Sequence, residues 1–288
     1  MRSAFGKRWP VRKLGPYALV CVGWIGANVL ALAAIDRYET AQLSAELGVS
    51  TRVVRQYRVG SITVAAAGSP VEVSLPYRLR PPDGWAGNRK VPLLVFLHGS
   101  GERGEDNLQQ LRSAPSVLCD ASLVETYPCA VLAPQCPAGC TWASRSHTGS
   151  ETDVLQAVLQ VIDEVLEDDE RIDPDRVYLT GFSLGAFGVW ELAATAPERF
   201  AAAVPIAGGG DTSQAHRLAH LPIWAVHGSA DPVVDVRQSR SMIAAIRDAG
   251  GDPRFTELPG LGHNSWDVVF RRNSEVLDWM FQQRREPR

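Results

Sequence analysis

Short, continuous apolar runs alternate along this chain with longer stretches in which apolar residues recur every three or four positions. "VPLLVFLHG", from Val91, is apolar almost throughout and ends in glycine, as expected of a strand covered on both faces. "CAVLAPQCP" from Cys129, "RVYLTGFS" from Arg176, "FAAAVPIAG" from Phe200 and "LPIWAVHG" from Leu221 repeat the design, and "RFTEL" from Arg254 is a shorter version. Between them, Val154, Leu155, Val158, Val161, Ile162, Val165 and Leu166 fall at helical spacing within Thr152–Asp169. Further helices are predicted over Gly185–Ala196, with Pro197 helping to stop the first, over Asp235–Ala249, and from Asn273 or Ser274 onward. Upstream, "SITVAAAG" and "VEVSLPYRLR" suggest two early strands, and "RPPDGWAGNRK" reads as a loop from its Pro, Gly and Asp punctuation. Strands alternating with helices imply one α/β domain, residues 61–288, with a mostly parallel central sheet and helices on both faces. In such sheets ligands sit beyond the carboxyl ends of the strands.

The amino end breaks the pattern. Arg2, Lys7, Arg8, Arg12 and Lys13 precede Tyr17–Ile35, which carries no charged residue and is long enough as a helix to approach the bilayer's hydrocarbon thickness. Basic charge on its N-terminal side predicts a cytoplasmic amino end and an exported body. Residues 1–35 are therefore read either as an uncleaved membrane anchor or as a signal peptide, for which "ALAA" at 31–34 offers small residues to a peptidase; a buried soluble helix is the third reading. Residues 36–60 are read as a linker or short helix.

Charge and cysteines sharpen this. A formal charge of −3 and a pI near 6.1 give no support for nucleic-acid binding, which calls for a basic patch or stripe. Cys21 lies in the apolar segment, while Cys119, Cys129, Cys136 and Cys140 cluster in one region. In an oxidising compartment four such residues suggest two disulfides in any of three pairings. Their spacing lacks the paired knuckles of a zinc site, and no metal or cofactor is called for.

The chemistry begins at "GFSLG", residues 181–185, which matches G-x-S-x-G directly after a predicted strand and before a predicted helix. Small neighbours permit a tight turn that lifts the Ser183 hydroxyl above the sheet, and the following helix N-terminus offers N–H groups to a developing oxyanion. The order after such a serine is acid, then histidine. Asp231 follows the strand "LPIWAVHG", with Asp235 as a rival that has a capping role at hand. His263 stands in the glycine-rich loop "PGLGHNSW" before the last helix. Of the other histidines, His98 and His227 read as supports of loop backbone, His216 and His220 as solvated polar residues, and His147 as a residue near the cysteine region that could line a site. Glu102, Arg103 and Asp106, in "LHGSGERGEDN", read as an ion-paired loop brace, with Gly99 and Gly101 letting the backbone approach and turn.

"FLHGSGERGEDN", "LAPQCP" with Trp142 beyond it, "GFSLGAFGVWELA", "IWAVHGSADPVV" and "ELPGLGHNSW" together resemble the α/β-hydrolase superfamily, over about Ser74 to Gln282. More closely, they look like exported esterases often labelled predicted peptidases, similar to polyhydroxybutyrate depolymerase-like and feruloyl esterase-like proteins. The resemblance implies Ser183 as nucleophile, His263 as base and acid, and Asp231 as orienting carboxylate. The backbone N–H groups of Ser100 and Leu184 would then form the oxyanion hole, Trp142 a wall of the substrate pocket, and Trp266 packing beside the histidine loop. It implies a serine carboxylesterase acting on a small-molecule or polymer-borne ester. A serine peptidase of the same fold and a non-catalytic, membrane-anchored binding protein are the alternatives; oligomeric state is not legible.

Overall fold

The structure is a computed structural model that describes residues 41–65, 72–82, 89–142 and 154–285. The chain divides into two units, Met1–Glu46 and Leu47–Arg288. In the first, residues 41–46 are helical. The segment Tyr17–Ile35 and His147 lie outside the described residues, and among those described no helix is long and apolar enough to cross a membrane.

The second unit is built on one eight-stranded sheet. Its strands are β1 (Arg58–Ala65), β2 (Glu72–Arg80), β3 (Val91–Leu97), β4 (Ala130–Pro134), β5 (Ile172–Phe182), β6 (Ala202–Ile206), β7 (Trp224–Gly228) and β8 (Arg254–Leu258). Their spatial order is β1-β2-β4-β3-β5-β6-β7-β8. The β2 strand runs antiparallel to both β1 and β4, and the remaining pairs are parallel. The four longer helices are α1 (Val154–Asp168), α2 (Leu184–Thr195), α3 (Arg237–Asp248) and α4 (Glu275–Gln282).

Alternation along the central strands shows why their sequences are apolar without interruption. Leu93, Val95 and Leu97 of β3, with Val177 and Leu179 of β5, join one core cluster with α1, α2 and α3. The intervening Tyr178 packs its ring 5.3 Å from Phe281 of α4, and Phe96 meets Phe270 edge-on at 5.8 Å. Successive side chains of a strand point to opposite faces, so helices cover both sides and every position on β3 is buried. The observed elements follow the periodicity closely. Short helices at Ala114–Val117, Ala121–Thr126 and Trp266–Val269 leave no trace in the pattern, because a turn or so is too short to display a helical period.

Two features position the site. Strand order reverses between β3 and β5, which lie side by side with Leu97 opposite Gly181; this makes their carboxyl ends a topological switch point. The β7 and β8 strands then continue the parallel run on one side, so the loops after β5, β7 and β8 open at the same sheet edge.

Candidate active site

Ser183 sits at the β5–α2 junction with φ 55° and ψ −117°, in a region that residues with a Cβ rarely occupy. Such a conformation costs about 1–3 kcal/mol. It is held because the turn is wedged against β3. A Cβ on Gly185 would lie 1.9 Å from the Leu97 carbonyl oxygen, and one on Gly181 would lie 2.7 Å from the Gly185 carbonyl oxygen. The two glycines of G-x-S-x-G are thus fixed by backbone-to-backbone contact. The Ser183 N–H donates to Ile206 O at 2.9 Å, tying the elbow to β6.

His263 brings its Nε2 to 2.9 Å from Ser183 Oγ and its Nδ1 to 2.7 Å from Asp231 Oδ2. The Asp231 side chain is fully buried, whereas the histidine is 18% exposed. Burial works against the charged carboxylate, but the His263 hydrogen bond and the N–H groups of Val234 and Val233 outweigh it. Asp231 is held below the usual carboxylate range. The rival Asp235 accepts from the Arg237 N–H and pairs with that residue's guanidinium, a local role at the start of α3. Phe182 stacks obliquely on His263 at 4.8 Å and limits how far the ring can swing.

Leu184 opens α2, where helical N–H groups have no partner of their own. Among the described residues neither its N–H nor that of Ser100 has an acceptor. The loop carrying Ser100 lies close to the elbow: a Cβ on Gly99 would be 3.6 Å from Phe182 O.

That loop is anchored from beneath. The fully buried His98 donates from Nδ1 to Gly99 O at 2.6 Å and accepts the Cys136 N–H on Nε2 at 2.9 Å. Burial lowers its pKa to about 4, with the Gly99 hydrogen bond opposing the shift, so the ring is neutral at pH 7. Gln135, also fully buried, accepts the Asn107 N–H at 2.6 Å and donates to Glu102 O at 3.1 Å. Asp106 accepts the N–H groups of Leu108 and Gln109, both at 2.8 Å. Gln135 carried no signal beyond its place in "LAPQCP"; a strand-end glutamine becomes informative only when its neighbours are known.

Several expectations are corrected. Glu102, Arg103 and Asp106 do not form an ion-paired brace. Arg103 donates to the carbonyl oxygens of Ser100 and Cys140, and Glu102 lies 3.9 Å from His98 Nδ1. Gly101 meets nothing within 4 Å, and neither it nor Gly99 has a positive φ, so the turn does not depend on their lacking a Cβ. Trp142 is fully buried and is no pocket wall. Its Nε1–H donates to His98 O at 2.9 Å, and its ring meets His98 edge-on. Among the described residues no disulfide joins Cys119, Cys129, Cys136 or Cys140. Cys129 Sγ accepts from the Arg80 guanidinium, and burial pushes Cys136 up to about 12, which leaves it a packing residue. His216 bonds to Ser213 O, and among the described residues no group of three or more His, Cys, Asp or Glu could hold a metal ion.

A sheet in this order, with a strained serine at the β5 elbow and an aspartate and histidine gathered to it, is the architecture of an α/β hydrolase. The chain belongs to the phospholipase/carboxylesterase family, whose sequence profile matches residues 86–280. It is 28% identical over 189 residues to the bifunctional acetylxylan esterase/xylanase XynS20E of Neocallimastix patriciarum, a match covering 63% of this chain and 24% of that protein. It is 34% identical over 134 residues to poly(3-hydroxyalkanoate) depolymerase C of Paucimonas lemoignei, covering 44% and 30% respectively. The chain therefore spans less than a third of the length of either relative. Among solved structures, a thermostable esterase superposes with a TM-score of 0.71 at 37% identity, over 81% of this chain and 64% of that one. An acylaminoacyl peptidase of Pyrococcus horikoshii, at 16% identity and a TM-score of 0.54, shares the fold alone.

Proposed function

We propose that this protein is a serine carboxylic-ester hydrolase with Ser183 as nucleophile, His263 as general base and acid, and Asp231 as the orienting carboxylate. The observation that carries the reading is the unbroken path from Asp231 Oδ2 through His263 to Ser183 Oγ, with contacts of 2.7 and 2.9 Å. His263 Nε2 takes the hydroxyl proton as Oγ attacks the ester carbonyl. The N–H groups of Leu184 and Ser100 receive the developing oxyanion, and the protonated histidine gives its proton to the departing alcohol. Water, deprotonated by the same Nε2, then attacks the acyl-enzyme, releases the acid and restores Ser183. Asp231 stays ionised throughout; its hydrogen bond places the resting proton of His263 on Nδ1 and leaves Nε2 free to accept.

The substrate class we assign is an ester carried by a polymer or its fragments. Support comes from the named activities of the relatives, an acetylxylan esterase and a polyhydroxyalkanoate depolymerase. Export of the body agrees with a 25% identical secreted protein of Arthroderma benhamiae and with the charged-then-apolar amino end.

The test is hydrolysis of a panel of short aryl esters, acetylated xylan, a feruloyl ester, polyhydroxybutyrate and a dipeptide amide, by the parent and by Ser183→Ala. The variant should lose at least about a thousandfold in kcat/KM and all labelling by a fluorophosphonate. Parent-level ester hydrolysis by Ser183→Ala would refute the assignment. Faster cleavage of the amide than of every ester would make the protein a peptidase.

A further inference from the structure

His227 is fully buried at the end of β7 and takes no part in the proton path described above. Its partners nevertheless dictate its protonation. Ser239 Oγ lies 2.8 Å from Nδ1 and also 2.7 Å from Gly208 O. A carbonyl only accepts, and a serine has one hydrogen, so Ser239 donates to Gly208 O and must accept from Nδ1–H. On the other side, Nε2 lies 2.9 Å from Val234 O, again an acceptor only, so Nε2 carries a hydrogen as well. A neutral ring in either tautomer leaves one of these short contacts acceptor against acceptor. The same Nε2 is 3.2 Å from Asp231 Oδ2, the oxygen that His263 Nδ1 approaches at 2.7 Å from the other side.

We propose that His227 is a buried imidazolium that shares the Asp231 carboxylate with His263 and so sets the basicity of the proposed catalytic histidine. This inference rests on the esterase reading for its kinetic consequence, but not for its structural content. A carboxylate facing one imidazole stabilises the protonated form of that imidazole with its whole charge. With a second cation against the same oxygen, the field at His263 is reduced, and His263 gives up its proton at lower pH. The base form that accepts the Ser183 proton then persists further into the acid range. His227 is a positioning and tuning residue, since it does not touch the reacting atoms.

Hydrogen bonding and strand pairing set two carboxylates beside His227. Asp231 comes from its own loop. Glu257 stands opposite it on β8 and is neutralised by Arg240 of α3, at 2.8 and 2.5 Å. Ser239 of α3 and Gly208 after β6 complete the surroundings without charge. Asp231 is thus the counter-ion in direct contact, as a buried cation requires.

Two measurements on the full chain test the proposal. In ring-nitrogen NMR spectra of the unsubstituted protein at pH 7, both nitrogens of His227 should be protonated; a singly protonated ring overturns the proposal whether or not any ester is cleaved. The second measurement is His227→Gln, which retains an N–H toward Val234 O and removes the charge. The NMR titration midpoint of His263 and the acid limb of kcat/KM should both move up by about one pH unit, the order expected for a neighbouring unit charge in a partly buried site. On the acid side that is about a tenfold loss of kcat/KM, with the high-pH plateau retained. A uniform loss at every pH with the limb unmoved would reduce His227 to a packing residue. If Ser183→Ala stayed active while the His263 midpoint still moved, the esterase assignment would fall and the coupling would stand.

Discussion

Acidification should weaken this fold through one residue before carboxylate titration dominates. His98 is fully buried, and burial lowers its pKa to about 4 from a reference of 6.5. The unfolded chain therefore binds a proton between about pH 6.5 and pH 4 that the folded chain refuses, and stability falls as pH falls through this window. Above about pH 6.5 the contribution is fully present. At pH 5.5 it has dropped by roughly 1 kcal/mol, and at pH 4 by roughly 3 kcal/mol, a large part of a typical domain's margin. The structural event is specific. Protonated Nε2 becomes a donor facing the Cys136 N–H, so the loop that carries Gly99 and Ser100 loses its tie to the end of β4. Urea unfolding followed by tryptophan fluorescence at intervals from pH 4 to 7.5 provides the assay, run on the parent and on His98→Gln. The glutamine variant should be less stable at pH 7, because it loses packing against Trp142, but its stability should fall less steeply with acid, by up to one proton's worth of slope. Equal slopes for the two proteins over pH 4.5–6.5 would refute the reasoning.

Other substitutions separate backbone constraint from mere sequence resemblance. Gly185→Ala drives a Cβ to 1.9 Å from the Leu97 carbonyl oxygen and should cost several kcal/mol or abolish folding, read as a fall in Tm or loss of soluble protein. Gly101→Ala meets open space and should change stability by no more than about 0.5 kcal/mol in the same experiment. Asp231→Asn should lower kcat by about a thousandfold or more, while Asp235→Asn, whose partner is Arg237, should leave kcat within about twofold. Trp142→Phe removes the hydrogen bond to His98 O and should cost about 1 kcal/mol in urea unfolding, or more if the carbonyl is left unpaired.

Much of the architecture was written locally. A strand buried on both faces has to be apolar at every position, and a helix on a sheet has to be apolar every third or fourth, so β3–β8 and α1–α4 could be placed from pattern alone. The elbow was equally legible as the local pattern G-x-S-x-G between a strand and a helix, although the contact that excludes a Cβ on Gly185 comes from Leu97 of β3. The chain order of Ser183, Asp231 and His263 suggested which side chains to look for.

What the sequence could not carry was anything that depends on neighbours distant along the chain. Its reading of "LHGSGERGEDN" assigned an ion-paired brace and two conformationally required glycines. The folded loop is held instead by His98, Gln135 and backbone carbonyls, because β3 and β4 lie side by side and share their ends. Residue type alone points to a pocket wall at Trp142 and to disulfides among the cysteines, since it says nothing of depth or of which thiol meets which. The two histidine partners of Asp231 are the sharpest case. His263 could be anticipated from order, whereas the protonation of His227 follows from Ser239, Gly208 and Val234, three groups on separate elements that only the packed sheet brings to one ring. Periodicity and turn chemistry are properties of a few consecutive residues and survive in the sequence; hydrogen-bond balance in a buried site is a property of the fold.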